Sequence, residues 1–204
     1  MTYKQLNYII KKAEDVPSQT IFSKKKNKEK LNMKKLDLKM LTKLAIVAAL
    51  YVALTYACAP LSYGGIQFRF SEMLILLVFF RREYSIYLIL GCALANIGCP
   101  YGIIDVVFGT LATAISSGLI CISKNLFIAS LYPAICNGII VGLEIVLIDK
   151  LEPFWTNFGI IGGGVFLGEF VVISIAGVLV FMLLRKNNAF MELIGANRNL
   201  KEQS

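Results

Sequence analysis

Four carboxylates lie within or at the ends of long apolar segments of the sequence. They are Glu72, Asp105, Glu144 and Glu169. An ionisable group at the bilayer centre costs about 2.5–3.5 kcal/mol on insertion scales, so such residues usually face a protein interior or a cavity and serve a function. The amides of Asn96 and Asn137 occur in the same segments. Together these groups could accept hydrogen bonds from a cationic or donor-rich ligand.

The composition indicates an integral membrane protein. Of 204 residues, 57% are hydrophobic and 17% are charged, well above the roughly 45–50% apolar content of a soluble domain. Histidine is absent, which removes the commonest general base and the usual zinc ligand. We therefore expect neither an enzyme nor a metal site, although a membrane-embedded enzyme using paired acids stays a rival interpretation.

Six apolar segments follow a polar start, and they predict an all-α membrane protein with a bundle of six transmembrane helices. The segments are approximately 41–59, 67–81, 85–99, 103–122, 126–148 and 158–184. Segments 67–81 and 85–99 are shorter than the roughly 20 residues of a full span, so they need shelter from their neighbours or little tilt.

The basic residues predict the orientation. Twelve lysines lie between Lys4 and Lys43, and the connections with Arg81 and Lys124 fall on the same side of the membrane as this tail. Because cytoplasmic loops are rich in Lys and Arg, both termini are expected on the cytoplasmic side. The membrane is expected to be a bacterial plasma membrane. The positive charge thus favours lipid as its partner, and no nucleic acid is expected.

Three regions are predicted. Residues 1–38 form a basic, disordered cytoplasmic tail, residues 39–186 the six-helix membrane domain, and residues 187–204 a cytoplasmic C-terminal tail. Met33 followed by two lysines resembles a bacterial membrane-protein start, so Met1 and Met33 are both open as the natural first residue.

With this orientation the acidic and amide groups lie at similar depth in the outer half of the membrane. They come from five different helices, which predicts one pocket open to the outside. The alternative is that some of them are neutral groups that hydrogen-bond between helices, and Glu72 could pair with Arg69 one turn earlier. Tyr63, Tyr101 and Trp155 lie in the outer connections, where aromatic rings favour the headgroup zone.

A repeat of small residues marks the first span. Ala45, Ala49, Ala53 and Ala57 are four residues apart and share one helical face. Such a face allows a second helix to approach closely, and spacing alone leaves open whether that helix belongs to this bundle or to a partner. Gly138 with Gly142, and Gly164 with Gly168, predict close approach within the bundle.

Several motifs resemble those of substrate-binding (S) subunits of energy-coupling factor (ECF) transporters, and among them the QueT group associated with queuosine precursors. The most specific is Gln67-Phe68-Arg69-Phe70-Ser71-Glu72, which is similar to the QFRxSE signature of that group. Supporting segments run from Gly91 to Asn96 and from Asp105 to Thr113. The resemblance covers about Lys39 to Leu184. The basic tail and Thr110 depart from the pattern.

The resemblance implies a membrane subunit that binds its substrate from outside and is energised by an ECF module of one transmembrane subunit and two ATPase subunits. The Ala stripe would contact the transmembrane subunit. This chain has no P-loop motif, so it would need no cofactor and ATP would be used by its partners. The implied substrate is a 7-deazaguanine such as 7-aminomethyl-7-deazaguanine or queuine. The implied substrate-binding residues are Gln67, Phe68, Arg69, Glu72, Asn96, Tyr101, Asp105, Phe108, Asn137, Glu144 and Glu169.

The resemblance also suggests roles for the acids. Glu169 and Asp105 are the first choices for the guanine edge, and Glu72 or Glu144 for the amine, with Phe68, Phe108 or Tyr101 stacked on the ring. Two alternatives within transport are open: an S subunit for another vitamin or nucleobase, and a stand-alone carrier coupled to protons.

Overall fold

The computed structural model describes residues 38–62, 67–99 and 101–196, and these residues form helices without a β-strand. The chain divides into two units, Met1–Leu41 and Thr42–Ser204. Of the first unit only Leu38–Leu41 is described, so the expected tail and the two candidate start residues lie outside the described part. So does Tyr63.

Four helices are long and apolar enough to cross a membrane. They are α1 (Leu38–Ala57), α4 (Ile103–Ile122), α5 (Leu126–Ile148) and α6 (Phe154–Leu184). Two shorter apolar helices, α2 (Phe70–Phe80) and α3 (Tyr84–Asn96), correspond to the two short predicted segments. A single turn, Ala59–Ser62, follows α1, and α7 (Asn188–Ile194) follows α6.

The ends of α4 and α5 coincide with the predicted boundaries, for local reasons. Gly102 has φ of 60° directly before α4, a backbone conformation that glycine adopts at little cost. Asn125 caps α5, since its side-chain oxygen accepts hydrogen bonds from the amides of Phe127 and Ile128 at 2.8 and 3.3 Å. Helix α6 begins four residues earlier than predicted, after Pro153, so Glu169 lies at its midpoint.

Helices α5 and α6 form the closest pair, and glycines explain their approach. A Cβ atom on Gly142 would lie 2.5 Å from the Cα atom of Gly162, and one on Gly138 would lie 3.0 Å from the carbonyl oxygen of Gly162. The prediction that Gly138 and Gly142 allow close approach is confirmed. Helix α4 packs on the other side of α5, and α3 packs on α4.

Two irregular segments interrupt the α-helical pattern. Helix α2 starts as a 3₁₀ helix, Phe70–Leu76, and α6 contains a π-helical segment, Phe170–Gly177. These two segments pack against each other. The hydroxyl of Ser174 in the π segment donates to the carbonyl oxygen of Ser130 at 3.1 Å, one turn before Pro133 inside α5. This contact links the π segment of α6 to the N-terminal part of α5.

Helix α1 contributes little to the core. Only 17% of its residues Met40–Ala57 are buried. The buried positions include Leu44, Tyr51 and Thr55. The members of the Ala stripe are all exposed: Ala45, Ala49, Ala53 and Ala57. In the described part of the chain the stripe therefore faces outward and is open to lipid or to another protein.

Candidate functional site

The predicted acids and amides are buried. The exposed fraction is 0% for Glu72 and Glu169, 1% for Glu144 and 6% for Asp105. Asn96 and Asn137 are 1% exposed. Three of them lie at helix ends: Asn96 ends α3, Asp105 lies in the first turn of α4, and Glu144 lies in the last turns of α5. Asn137 and Glu169 instead lie at the midpoints of α5 and α6.

Arg69 connects these groups. Its Nε atom donates to the carbonyl oxygen of Ser62 at 3.3 Å. Its guanidinium is close enough to Glu72, Glu144 and Glu169 to interact electrostatically with all three. Among the described residues, Arg69 is the single buried Lys or Arg side chain. Three buried carboxyl groups therefore lie within electrostatic reach of one guanidinium, and Asp105 lies beside one of them, Glu144.

The start of α2 positions Arg69 and Glu72. Arg69 has an extended conformation directly before the 3₁₀ helix, and the amide of Glu72 donates to the carbonyl oxygen of Arg69 at 3.0 Å. Because a 3₁₀ helix has three residues per turn, positions three apart lie on the same side. Arg69 and Glu72 are three residues apart and both face into the bundle, where they are buried. Gln67, which precedes the 3₁₀ helix, is buried as well.

Asn96 holds α3 and α4 together at the site. Its Nδ2 atom donates to the carbonyl oxygen of Asp105 at 3.2 Å. A Cβ atom on Gly109 would lie 2.3 Å from this Nδ2 atom, so glycine at position 109 leaves the room that the amide occupies. Asp105 is fixed in addition by the amide of Tyr101, which donates to Oδ2 at 3.2 Å.

Asn137 and Glu169 form the link between α5 and α6. The Nδ2 atom of Asn137 lies 2.6 and 2.8 Å from the two carboxylate oxygens of Glu169. The amide therefore holds Glu169 in one orientation next to the π segment.

Several buried carbonyl and carboxylate oxygens have no hydrogen-bond partner within the described residues. They are Gln67 Oε1, Glu72 Oε2, Asn137 Oδ1, and both carboxylate oxygens of Glu144. Buried polar atoms are rarely left unsatisfied, and each one costs about 1–3 kcal/mol. A molecule that donates several hydrogen bonds would satisfy these acceptors.

The aromatic candidates are placed differently. Phe68 and Phe108 are half-buried. The hydroxyl of Tyr101 donates to Asp149 Oδ2 at 2.7 Å, which joins the connection before α4 to the end of α5. This hydrogen bond, followed by burial, raises the pKa of Tyr101 to about 12. Trp155 is 77% exposed at the start of α6.

The sequence reasoning missed Tyr51 and the residues around it. The Tyr51 hydroxyl donates to Glu72 Oε1, and the Thr55 hydroxyl lies 2.7 Å from that of Ser71. Tyr51 and Thr55 are four residues apart on α1 and belong to its buried face. Two polar side chains at this spacing in an apolar helix are the signal that could have revealed this contact.

The sequence matches a known protein family. The model described as "QueT transporter" matches residues 41–186, most of the chain. The chain belongs to the QueT transporter family. QueT family proteins are transporters rather than enzymes, and this one is a multi-pass membrane protein with helices long enough to span a bilayer.

A curated relative carries the name of this family. "Queuosine precursor transporter QueT" of Lactococcus lactis subsp. cremoris (strain MG1363) is 45% identical over 74 residues. The alignment covers 35% of this chain and 43% of the relative, so the chain spans less than half the length of the relative it matches. No solved structure gave a significant match to the chain.

Proposed function

We propose that this QueT family member is the substrate-binding subunit of an ECF transporter and takes up a queuosine precursor of the 7-deazaguanine type. In this proposal six helices, α1 to α6, span the membrane, both termini are cytoplasmic, and the acids lie toward the outside. The proposal rests on one observation above all: five buried acceptor oxygens, on Gln67, Glu72, Asn137 and Glu144, have no hydrogen-bond partner within the described residues.

The chemistry of a 7-deazaguanine complements such a set of acceptors. Its Watson–Crick edge has adjacent N–H donors, which one carboxylate can accept in bidentate fashion. In 7-aminomethyl-7-deazaguanine, and in queuine, an amine adds a cation. If these four carboxyl groups are ionised, a single guanidinium leaves an excess of negative charge that a cationic ligand would balance.

The contacts suggest how the roles divide. Both oxygens of Glu144 lack a partner, and Asp105 lies beside it, so this pair suits the amine. Glu72 has one oxygen bonded to Tyr51 and one unsatisfied, and Asn137 has an unsatisfied oxygen next to Glu169. These groups suit the guanine edge, with Phe68 or Phe108 near enough to the site in sequence to stack on the ring. The roles of Glu72 and Asp105 thus differ from those first suggested by the resemblance alone.

Calorimetric titration of the purified full chain tests the site. We expect tighter binding of 7-aminomethyl-7-deazaguanine than of 7-cyano-7-deazaguanine, because only the former carries the amine. We also expect each of Glu72→Ala, Asp105→Ala, Glu144→Ala and Glu169→Ala to weaken binding. Unchanged affinity in all four variants would overturn the proposed pocket.

Energisation is tested separately in cells that lack their own uptake of the precursor. Uptake should require coexpression of an ECF transmembrane subunit and two ATPase subunits, and it should persist in the presence of a protonophore while ATP is maintained. Uptake by this chain alone that a protonophore stops would instead identify a carrier coupled to protons. Binding of a vitamin or another nucleobase in preference to every deazaguanine would identify a different substrate on the same scaffold.

A further inference from the structure

A groove with two cations lies at the end of the bundle opposite to Glu144. We call it the basic groove. Its volume is about 480 Å³, and it is lined by Phe79, Lys124, Asn125, Leu126, Phe127, Val178, Met182 and Arg185. Helix α5 begins in this groove at Leu126, whereas Glu144 lies near the other end of the same helix. The groove is therefore separate from the candidate substrate site.

The charge of the groove is uncompensated. Lys124 and Arg185 are both exposed, and no Asp or Glu lines the groove. The ion pair found within the described residues, Arg81 with Glu83, does not involve either of them. Two cations in one groove without a carboxylate attract an anion.

The walls of the groove are apolar. Phe79 and Val178 are 2% and 7% exposed and form its inner surface. Phe127 and Met182 are 49% and 42% exposed and form its open sides. A small inorganic anion would leave these walls uncovered. A molecule with both an anionic group and a hydrocarbon chain would contact the two cations and the apolar walls.

The groove also lies where a lipid headgroup would be. Lys124 is in the connection between α4 and α5, and Arg185 directly follows the last residue of α6. These are the ends of long apolar helices, at the membrane face that the distribution of Lys and Arg predicts to be cytoplasmic. Basic pockets between helices on that side bind anionic headgroups. The side chain of Asn125 already accepts from the first amides of α5, so the two cations rather than the helix terminus would hold the anion.

We infer that the basic groove binds an anionic phospholipid, with its phosphate between Lys124 and Arg185 and an acyl chain against Phe127 and Met182. The bound lipid would join the start of α5 to the end of α6, the two helices that also carry Asn137 and Glu169.

Native mass spectrometry of the purified full chain tests this inference, with dioleoylphosphatidylglycerol and dioleoylphosphatidylcholine as probes. The wild-type protein should retain the phosphatidylglycerol in preference to the phosphatidylcholine. The variant Lys124→Gln/Arg185→Gln should lose that preference, with about fivefold weaker retention for each cation removed. The matched control Arg82→Gln/Lys186→Gln removes two exposed cations of the same predicted face that do not line the groove, and it should retain the lipid.

Two further measurements complete the test. Phe127→Ser, which changes a wall and no charge, should weaken retention of the phosphatidylglycerol. Glycerol 3-phosphate, which has the anion without the acyl chains, should fail to displace it. The inference is overturned if the two double variants lose lipid equally, if both lipids are retained equally, or if glycerol 3-phosphate competes as well as the intact lipid does.

Discussion

Glu144 is buried, and both of its carboxylate oxygens lack a hydrogen-bond partner within the described residues. The neighbouring Asp105 adds a second acid at this position. Such an arrangement costs stability unless a ligand supplies the donors. Glu144 is therefore expected to bind a ligand rather than only to hold helices together.

Replacing Glu144 by Gln tests this difference, because the amide keeps the shape of the side chain and removes its charge. We expect affinity for 7-aminomethyl-7-deazaguanine to fall about 10- to 150-fold, since a hydrogen bond to a charged group contributes about 1.5–3 kcal/mol. The thermal unfolding temperature without ligand should not fall. Calorimetry and a thermal unfolding assay measure the two quantities. Glu192→Gln, an exposed acid on α7, is the control, and an affinity as high as that of the wild type would exclude Glu144 from the site.

Tyr101 gives a prediction of pH dependence at the surface. Its hydrogen bond to Asp149 raises its pKa to about 12, above the value of about 10 for an unperturbed tyrosine. A raised pKa stabilises the folded state below about pH 10, and this contribution is lost as the pH rises through about 12. Tyr101 therefore stays a hydrogen-bond donor at every physiological pH.

The difference in absorbance at 295 nm between the wild type and Tyr101→Phe isolates this titration from that of the other tyrosines. We expect its midpoint near pH 12, and we expect Asp149→Asn to move it toward about 10 because the charged acceptor is gone. A wild-type midpoint near 10 would show that the Tyr101–Asp149 contact does not persist in solution.

The sequence predicted which acids and amides are buried, because a charged or amide group in an apolar segment has few other places to go. It did not predict the pairs that they form. Tyr51 bonds to Glu72, and Asn137 bonds to Glu169, and each pair depends on the rotation of one helix against another. Periodicity shows which face of a helix is polar, but it does not show which neighbour that face meets.

The glycines between α5 and α6 allow these helices to approach closely, and the two helices carry Asn137 and Glu169. A Cβ atom on Gly162 would lie 2.6 Å from the carbonyl oxygen of Gly138, whereas a Cβ atom on Gly163 would have no atom within 4 Å among the described residues. Adjacent positions thus provide a test and its control.

We expect Gly162→Ala to lower the free energy of unfolding by about 1–3 kcal/mol, as overpacking does, and to weaken substrate binding by moving Asn137 away from Glu169. Gly163→Ala should leave binding intact and be neutral or stabilise by up to about 1 kcal/mol, the difference in helix propensity. Thermal unfolding in detergent and calorimetry compare the two variants. Equal effects of the two substitutions would contradict the close approach of α5 and α6.

Regular helices were predictable from the sequence, and irregular ones were not. The predicted ends of α4 and α5 agree with the structure because Gly102 and Asn125 mark them. The 3₁₀ start of α2 and the π segment of α6 leave no comparable signal, since neither begins with a glycine or a capping residue. Both segments border the site, where the arrangement of neighbouring helices rather than local propensity decides the backbone.

For the assembled transporter, the exposed Ala stripe of α1 predicts a surface that matters for transport and not for binding. Ala49→Trp and Ala53→Trp place bulk on the outward face of a helix that is mostly unburied. We expect uptake by cells with the ECF module to be lost while calorimetric affinity stays unchanged. Leu90→Trp, on the exposed face of α3 (52% exposed), should affect neither. Loss of binding together with uptake would place the stripe inside the fold rather than at an interface.

In the proposed site, helices α2 to α6 contribute hydrogen-bond acceptors that bind a donor-rich deazaguanine. Native mass spectrometry of the full chain, purified in mild detergent from cells that make queuosine precursors, examines this claim most directly. The account predicts an added mass equal to that of a 7-deazaguanine, which Glu144→Gln loses. A spectrum in which the wild-type protein shows no such mass even after incubation with excess 7-aminomethyl-7-deazaguanine and queuine would contradict it.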